Sequence, residues 1–265
     1  MRALFAVYKR EVALYFKSFI AYGITFALMI FMGLYFQGTV ASVVAQTAQG
    51  APAPPAANLA SSMLGIFVFL MFVISPVLTM RLLSEESREG TLELLMTLPM
   101  SDWVFVVGKF LAAWTFYTFL LALTLVHVLL LWNGNIFDPM NTGNPINPGV
   151  FFVAYLGAWL YGGTTMAVSM IWSALTEDQL VAAFLGVTSV LVLYLAADLG
   201  NVFAGGAIGT NVAEAIREIG LTTHYHQTML EGLLRAEDIA YFVLMIAVSL
   251  FITTLIVGTR RWRSS

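Results

Sequence analysis

Apolar residues run along this chain in six stretches, each of a length that lets a helix cross a ~30 Å hydrocarbon core. They cover residues 18–37, 61–80, 103–132, 150–175, 180–197 and 239–258. The third is longer than a perpendicular crossing needs, so it is expected to tilt or to project beyond the bilayer. Residues 1–17 follow another pattern. Leu4, Phe5, Tyr8, Val12, Tyr15 and Phe16 fall on one helical stripe, Arg2, Lys9 and Lys17 lie largely off it, and Arg10 and Glu11 flank it. That spacing predicts an amphipathic helix lying in the membrane interface.

The intervening segments read as connections. Gly38 to Ala60 is uncharged and holds Pro52, Pro54 and Pro55, which predicts a loop. Pro76 is expected to kink the second span. Asn133 to Gly149 is rich in turn formers, and Gly157, Gly162 and Gly163 suit the fourth span to close helix packing. Thr176 and Gln179 have capping-box spacing, with Thr176 as the expected acceptor. Residues 198–238 break the apolar pattern. Gly200, Gly205, Gly206 and Gly209 open the segment, Asn211 is placed to cap a short helix ending near Gly220, and a second helix is expected over 226–235. The fold class is therefore all-α, a single polytopic transmembrane domain over 1–265 without an internal repeat.

Composition supports this. The chain is 60% hydrophobic and 10% charged, with mean hydropathy +0.86, whereas soluble domains carry about 25% charge. There are no cysteines, which excludes disulfides, thiolate metal sites and cysteine nucleophiles. The opening MRALFAVYKREVALYFK mixes charge with apolar residues and is not expected to be a cleaved signal. Of twelve Lys and Arg, ten fall in the N-terminal segment, the stretch between spans two and three, and the C-terminal tail; only Arg217 and Arg235 fall on the other side. Positive charge stays inside, so both termini and the stretch between spans two and three are expected to be cytoplasmic.

Few residues offer chemistry. Gly108-Lys109 is followed by Phe110 and lacks the earlier glycine of a phosphate cradle, so no P-loop is expected. Ser75 and Ser169 are not in nucleophile-elbow sequences, and no paired carboxylates lie within a span, so the chain is not expected to be an enzyme. His127 is an ionisable group at membrane depth and hence a functional candidate, with hydrogen bonding between helices as its plain role. His224 and His226 are two apart, without a clear acidic third ligand, and are not expected to form a metal site. The scattered methionines read as packing. A hydrophilic path would have to use Thr115, Thr118, Thr124, His127, Thr164, Thr165 and Ser169, a sparse set better suited to a lipidic, peptide-like or mechanically coupled cargo.

The charge concentrates between Arg81 and Lys109. Residues 84–89, SEESRE, carry three Glu and one Arg; Gly90 breaks the segment, Thr91 is placed to cap a short helix with Glu93 in its first turn, and Pro99 ends it. Leu92, Leu94, Leu95, Met96 and Leu98 give that helix an apolar face. An acidic cluster is unfavourable beside anionic lipid, so residues 84–98 are read as a hairpin that docks on a protein partner.

The run EESREGTLELLMTLPMS with Gly108-Lys109 at the next span resembles the coupling-helix region of type-2 ABC transporter permeases. KREVALYFKS resembles their elbow helix, and HYHQTMLEGLLRAEDIAYF followed by RRW resembles the last span of the gliding-motility and nitrous-oxide-reductase-maturation subgroup. The likeness covers essentially the whole chain; the proline-rich first outer loop departs from it. It implies a half-transporter of the prokaryotic inner membrane that binds no cofactor itself. ATP and Mg would sit in a separate cytoplasmic ATPase, contacted through Glu85, Glu86, Arg88, Glu89, Gly90, Thr91, Glu93, Leu94, Leu95, Leu98 and Pro99. A second permease subunit, identical or related, membrane lipid and an extracytoplasmic accessory protein are the other implied partners; nucleic acid is not one. Residues 198–238 resemble the external gate. The competing expectation is a membrane scaffold that recruits a cytoplasmic protein without transport.

Overall fold

A computed structural model describes residues 2–51, 56–90, 101–133, 148–204 and 210–263. Among them all regular structure is helical: α1 (Arg2–Lys17), α2 (Phe19–Ala48), α3 (Ala56–Thr79), α4 (Arg81–Arg88), α5 (Asp102–Asn133), α6 (Pro148–Leu175), α7 (Gln179–Ala204), α8 (Thr210–Ile219), α9 (Leu221–Tyr225) and α10 (Ala236–Arg263). A 3₁₀ turn spans Met229–Glu231. Six of the helices, α2, α3 continued through α4, α5, α6, α7 and α10, are long and apolar enough to cross a membrane. At 1.5 Å per residue the 32-residue α5 is about 48 Å long, well beyond the hydrocarbon core.

The bundle is organised around α6. Every residue from Leu160 to Met170 is buried, so this helix is enclosed on all sides rather than along one stripe. The sequence there, LYGGTTMAVSM, is dominated by small side chains, which let neighbouring helices approach. Gly162 shows how closely: a Cβ on it would lie 2.1 Å from the Tyr117 ring of α5. The core gathers on this axis, with Phe67 and Met71 of α3, Tyr117 and Leu120 of α5, Tyr161 of α6 and Phe242 of α10 all fully enclosed. Outside, α2 is the least buried of the six and presents Tyr22, Phe26, Ile30 and Leu34 outward, an apolar surface suited to lipid or to another membrane helix.

Crossing parity gives the bundle two ends. α1, α4, the α6–α7 turn and the C-terminus share one end; α8, α9 and the 3₁₀ turn share the other. Side-chain contacts agree, since Ser173 near the end of α6 bonds to α4 while Ala154 near its start accepts a hydrogen bond from Tyr225.

Several expectations need correction. The segment 38–60 is not one loop: α2 continues to Ala48 and α3 begins at Ala56. Proline is absent between Gly38 and Gly50, and the Thr39 and Thr47 hydroxyls donate to carbonyls one turn back, which helical backbone accommodates. The helix stops where Gly50 takes φ +85°, ahead of Pro52. Thr176 does not cap α7. Asp178 does, its Oδ1 accepting from the Leu180 and Val181 amides at 2.8 and 3.3 Å, while Thr176 Oγ1 accepts from the Asp178 amide. α8 begins at Thr210, so Asn211 sits inside its first turn rather than at its cap. The second short helix lies at 221–225 instead of 226–235. Beyond it Thr228 leaves helical geometry and Gly232 adopts φ +86°, and together they end the segment in a 3₁₀ turn. Pro76 lies inside α3, and the helical path is interrupted at Met80, one turn later.

Gly162→Ala should destabilise the protein by about 1–3 kcal/mol, because its methyl must displace an enclosed tyrosine ring. Gly38→Ala, at a helical glycine with nothing within 4 Å, should be neutral or mildly stabilising. Thermal unfolding of both variants in the same detergent checks the contrast.

Candidate functional site

The bundle end bearing α1 and α4 holds a buried cluster of charge. Lys109 on α5 is 2% exposed. Its Nζ donates to Glu86 Oε1 on α4 at 2.9 Å and to Glu11 Oε1 on α1 at 3.2 Å. Arg10 donates to the same Glu86 oxygen at 3.1 Å and lies 3.8 Å from Glu11. The Phe105 ring, one turn back on α5, packs 5.1 Å from the ammonium. Two cations and two carboxylates therefore cancel within one contact distance, which is the condition under which charge is tolerated away from water.

Local sequence explains the convergence. Tyr8, Glu11 and Tyr15 share one face of α1, and that face lies along α5. Gly108 lets the helices touch, since a Cβ there would sit 2.9 Å from Val7 Cγ1. Tyr8 shares a hydrogen bond with Thr115 at 3.1 Å, and the Tyr15 ring stacks on Phe116 at 5.3 Å. The Tyr15 hydroxyl then donates to the Leu78 carbonyl of α3 at 2.7 Å. Burial pushes the Tyr15 phenol well above its ordinary pKa, so it stays a neutral donor. α1 is in this way fastened to α5 and α3 by polar contacts on its inward face.

The interruption at Met80 is held just as fully. Ser173 of α6 donates to the Met80 carbonyl at 2.9 Å and accepts from the Leu83 and Ser84 amides at 3.1 and 3.2 Å. One donor and two acceptor sites use the whole capacity of a hydroxyl. The Ser84 hydroxyl also donates to the Met80 carbonyl. α4 emerges from this seat with an Arg81–Glu85 ion pair at 2.7 Å, and Gly90 turns the chain at φ +68°.

The eleven hairpin residues singled out from sequence are thus divided. Glu86 points inward and is 7% exposed; Glu85 is half-buried; Arg88, Glu89 and Gly90 are exposed. Thr91, Glu93, Leu94, Leu95, Leu98 and Pro99 lie outside the described residues. The structure does not gather the polar span residues onto one surface. Thr164, Thr165 and Ser169 are buried in α6, and Thr165 meets Ser75 of α3 at 2.8 Å. Thr115 faces α1, Thr118 accepts from the Trp159 indole at 2.9 Å, and Thr124 meets Tyr155. His127 packs beside Phe36 of α2. All six of these threonines and serines also donate to carbonyls three or four residues back, the ordinary way a helix satisfies them.

At the opposite end, His224 Nδ1 lies 2.8 Å from Asp238 Oδ1, and Nε2 lies 3.0 Å from the Glu218 carbonyl, with Tyr241 stacked on the ring at 4.0 Å. His226 instead meets Tyr194 and Tyr225 edge-on. Among the described residues no group of three or more His, Asp or Glu is arranged to hold a metal. Burial lowers the His226 pKa below its usual range.

Sequence reading set Glu11 beside the apolar stripe and gave Lys109 no carboxylate partner. The signal was there: a lone cation a few residues into an apolar span needs a carboxylate, and Glu11 is the only acid in residues 1–17.

A family model described as ABC-2 family transporter protein matches residues 5–261. No curated protein matches the chain.

Lys109→Ala should cost about 3–5 kcal/mol, because it strands two buried carboxylates. Lys109→Met combined with Glu86→Gln, which leaves Arg10 opposite Glu11, should recover much of that loss; chemical or thermal unfolding in detergent measures both. The second expectation concerns pH. A histidine whose folded pKa is depressed contributes stability above its unfolded pKa of about 6.5 and loses it as pH falls toward the folded value. His226→Phe should therefore flatten the part of the acid-side loss below about pH 6.5 that the wild type shows, read from unfolding midpoints across pH 5–8.

Proposed function

The chain belongs to the ABC-2 transporter family, and from that premise we propose that it is a permease subunit driven by a separate cytoplasmic ATPase. The observation that carries this reading is the junction of α1, α4 and α5. It ties the start of the acidic hairpin, through Glu86, to an interfacial helix and to the first turns of a membrane span. Force applied at the hairpin has a short, rigid route into the bundle. The exposed side chains of Arg88 and Glu89 and the half-buried Glu85 offer charge to a partner at that end, and the hairpin residues through Pro99 complete the docking element in this proposal.

The same end carries ten of the twelve Lys and Arg residues, which supports a cytoplasmic hairpin and cytoplasmic termini in an inner membrane. The apolar outer faces of α2 and α10 support assembly with a second permease subunit and with lipid. ATP and Mg belong to the ATPase subunit. Its closure would bias two packings of the bundle through the hairpin, a two-state coupling between the nucleotide site and the spans. Residues 198–238 act as an external gate in this proposal, and an accessory protein could also sit on them. Because the hydroxyls in the spans are turned to their own backbones, a lipidic, peptide-like or mechanically coupled cargo fits this bundle better than a sugar or an ion, and export fits better than uptake. The likeness of the C-terminal segment to the gliding-motility and nitrous-oxide-reductase-maturation permeases supports that subgroup.

The test is a mild-detergent pull-down of the tagged chain from its native membranes. An ATPase subunit should co-purify, and Glu85→Lys with Glu89→Lys should reduce its recovery by about tenfold or more, the cost of opposing charges that had been paired, while the chain remains folded. A folded chain that brings down no ATPase would overturn the permease reading and leave the scaffold. Undiminished recovery with the charge-reversed chain would remove the hairpin assignment alone.

A further inference from the structure

At the end of the bundle opposite the ion pairs, the last three carbonyls of α8 each face a side-chain donor. Carbonyls at a helix C-terminus lack partners within the helix, so they must find them elsewhere. The Thr223 hydroxyl donates to the Arg217 carbonyl at 2.7 Å, and the Tyr241 hydroxyl donates to that of Ile219. Between them, His224 Nε2 lies 3.0 Å from the Glu218 carbonyl. Thr223 and His224 belong to α9 and Tyr241 to α10, so these contacts tie three helices together.

His224 differs from the other two donors because both of its ring nitrogens face oxygen. Nδ1 lies 2.8 Å from Asp238 Oδ1, on the opposite side of the ring from Glu218. A backbone carbonyl can only accept a hydrogen bond, and so can an ionised carboxylate, whereas a neutral imidazole carries one N–H. Two acceptors therefore need two ring protons. The second proton sits on the imidazole rather than on the carboxyl because histidine is the stronger base. The surroundings suit a cation. Asp238 is 3% exposed and balances the charge. The negative pole of α8 lies at Glu218, and the Tyr241 ring covers the imidazole at 4.0 Å, 21° from parallel.

The other titratable groups nearby do not compete for either nitrogen. The Glu218 carboxylate is exposed and 4.0 Å from Nε2. Tyr225 donates to the Ala154 carbonyl, Tyr161 of α6 packs on Tyr225, and Tyr194 of α7 packs on His226. Asp198 of α7, Arg217 of α8, Glu231 of the 3₁₀ turn and Glu237 of α10 form no ion pair with it. Asp238 Oδ2 has no hydrogen-bond partner, so Nδ1–H is the one side-chain donor this buried carboxylate meets.

We propose that His224 is an imidazolium at neutral pH and works as a proton-operated latch, holding α8 and α9 against the start of α10. With one ring proton gone, the remaining N–H stays with Asp238, and Nε2 turns a lone pair toward the Glu218 carbonyl. Two acceptors at 3.0 Å repel, and the end of α8 is released. The closed latch holds one proton more than the open one, so falling pH closes it and rising pH opens it. In the orientation proposed above, the pH that sets it is that outside the cytoplasmic membrane. The latch rests on these contacts alone and could fail with the permease reading intact.

The experiment uses the full chain in detergent, labelled with ¹⁵N-histidine. Three imidazoles give signals, and His127→Phe and His226→Phe identify the other two. At pH 6.5 both nitrogens of His224 should carry protons, and by pH 9 one should be bare. Hydrogen exchange over residues 210–226, corrected for its intrinsic pH dependence, should rise about tenfold across that range, the value of one charge-assisted hydrogen bond. The range lies above the acid-side loss assigned to His226. Asp238→Asn separates the latch from ordinary packing. Its amide donates to Nδ1 and leaves the N–H of a neutral imidazole for the Glu218 carbonyl, which keeps both contacts without the added proton. Exchange in this variant should stay at the wild-type pH 6.5 level throughout, whereas His224→Phe should exchange at the open level throughout. A His224 ring with a bare nitrogen at pH 6.5 would overturn the proposal. So would wild-type exchange that does not change with pH, or an Asp238→Asn chain that keeps the wild-type pH dependence.

Discussion

Lys109 sets the terms for one end of this protein. An ammonium that is 2% exposed must be neutralised where it stands, and the nearest means are carboxylates from elements that the sequence keeps far apart. Glu11 comes from α1 and Glu86 from α4. Neither can move away from the lysine without exposing a buried charge of the opposite sign. Electrostatics thus fixes the geometry here, because a buried ion pair tolerates only one register of the helices that carry it.

The bundle interior is built on the opposite principle. Around α6 there is almost no charge to specify position, and definition comes from shape: Gly162 beneath the Tyr117 ring, Gly186 against Pro76, Gly157 against Met229. Where polar groups do enter, as in the Ser75–Thr165 pair or Ser173 beneath Met80, they meet backbone or each other and leave little unsatisfied. Lipid offers no hydrophobic gain when helices associate, so close fit and these few hydrogen bonds carry the packing.

The spans were legible in the sequence because a long uncharged run has few alternatives to a transmembrane helix. Their order, and the enclosure of the Gly-rich fourth, followed from composition. Connections were less legible. α2 runs eleven residues past its expected end because Gly38 alone does not stop a helix, and the prolines that suggested a loop begin only at Pro52. Thr176 and Asp178 both offered a capping oxygen, and only the backbone path decided between them. The site was half legible. The charge between Arg81 and Lys109 marked two of the elements that carry the ion pairs, but linear sequence does not show that Glu86 turns inward while Glu85 and Glu89 do not. That depends on the helical phase of α4, which Ser173 of a distant span fixes.

The ion pairs also decide which parts of that end can move. Separating Glu86 from Lys109 within a buried site costs more than bending the chain at Gly90, whose left-handed φ is natural to glycine. Displacement of α4 relative to α1 and α5 is therefore the costly motion. A push along α4 has to carry α1 and the first turns of α5 with it. On the bundle side, Pro76 removes an amide donor one turn before Met80, and Ser173 holds the chain where the helix ladder is broken. A displacement of α4 therefore reaches α1 and the first turns of α5 through the ion pairs, and the enclosed α6 through Ser173.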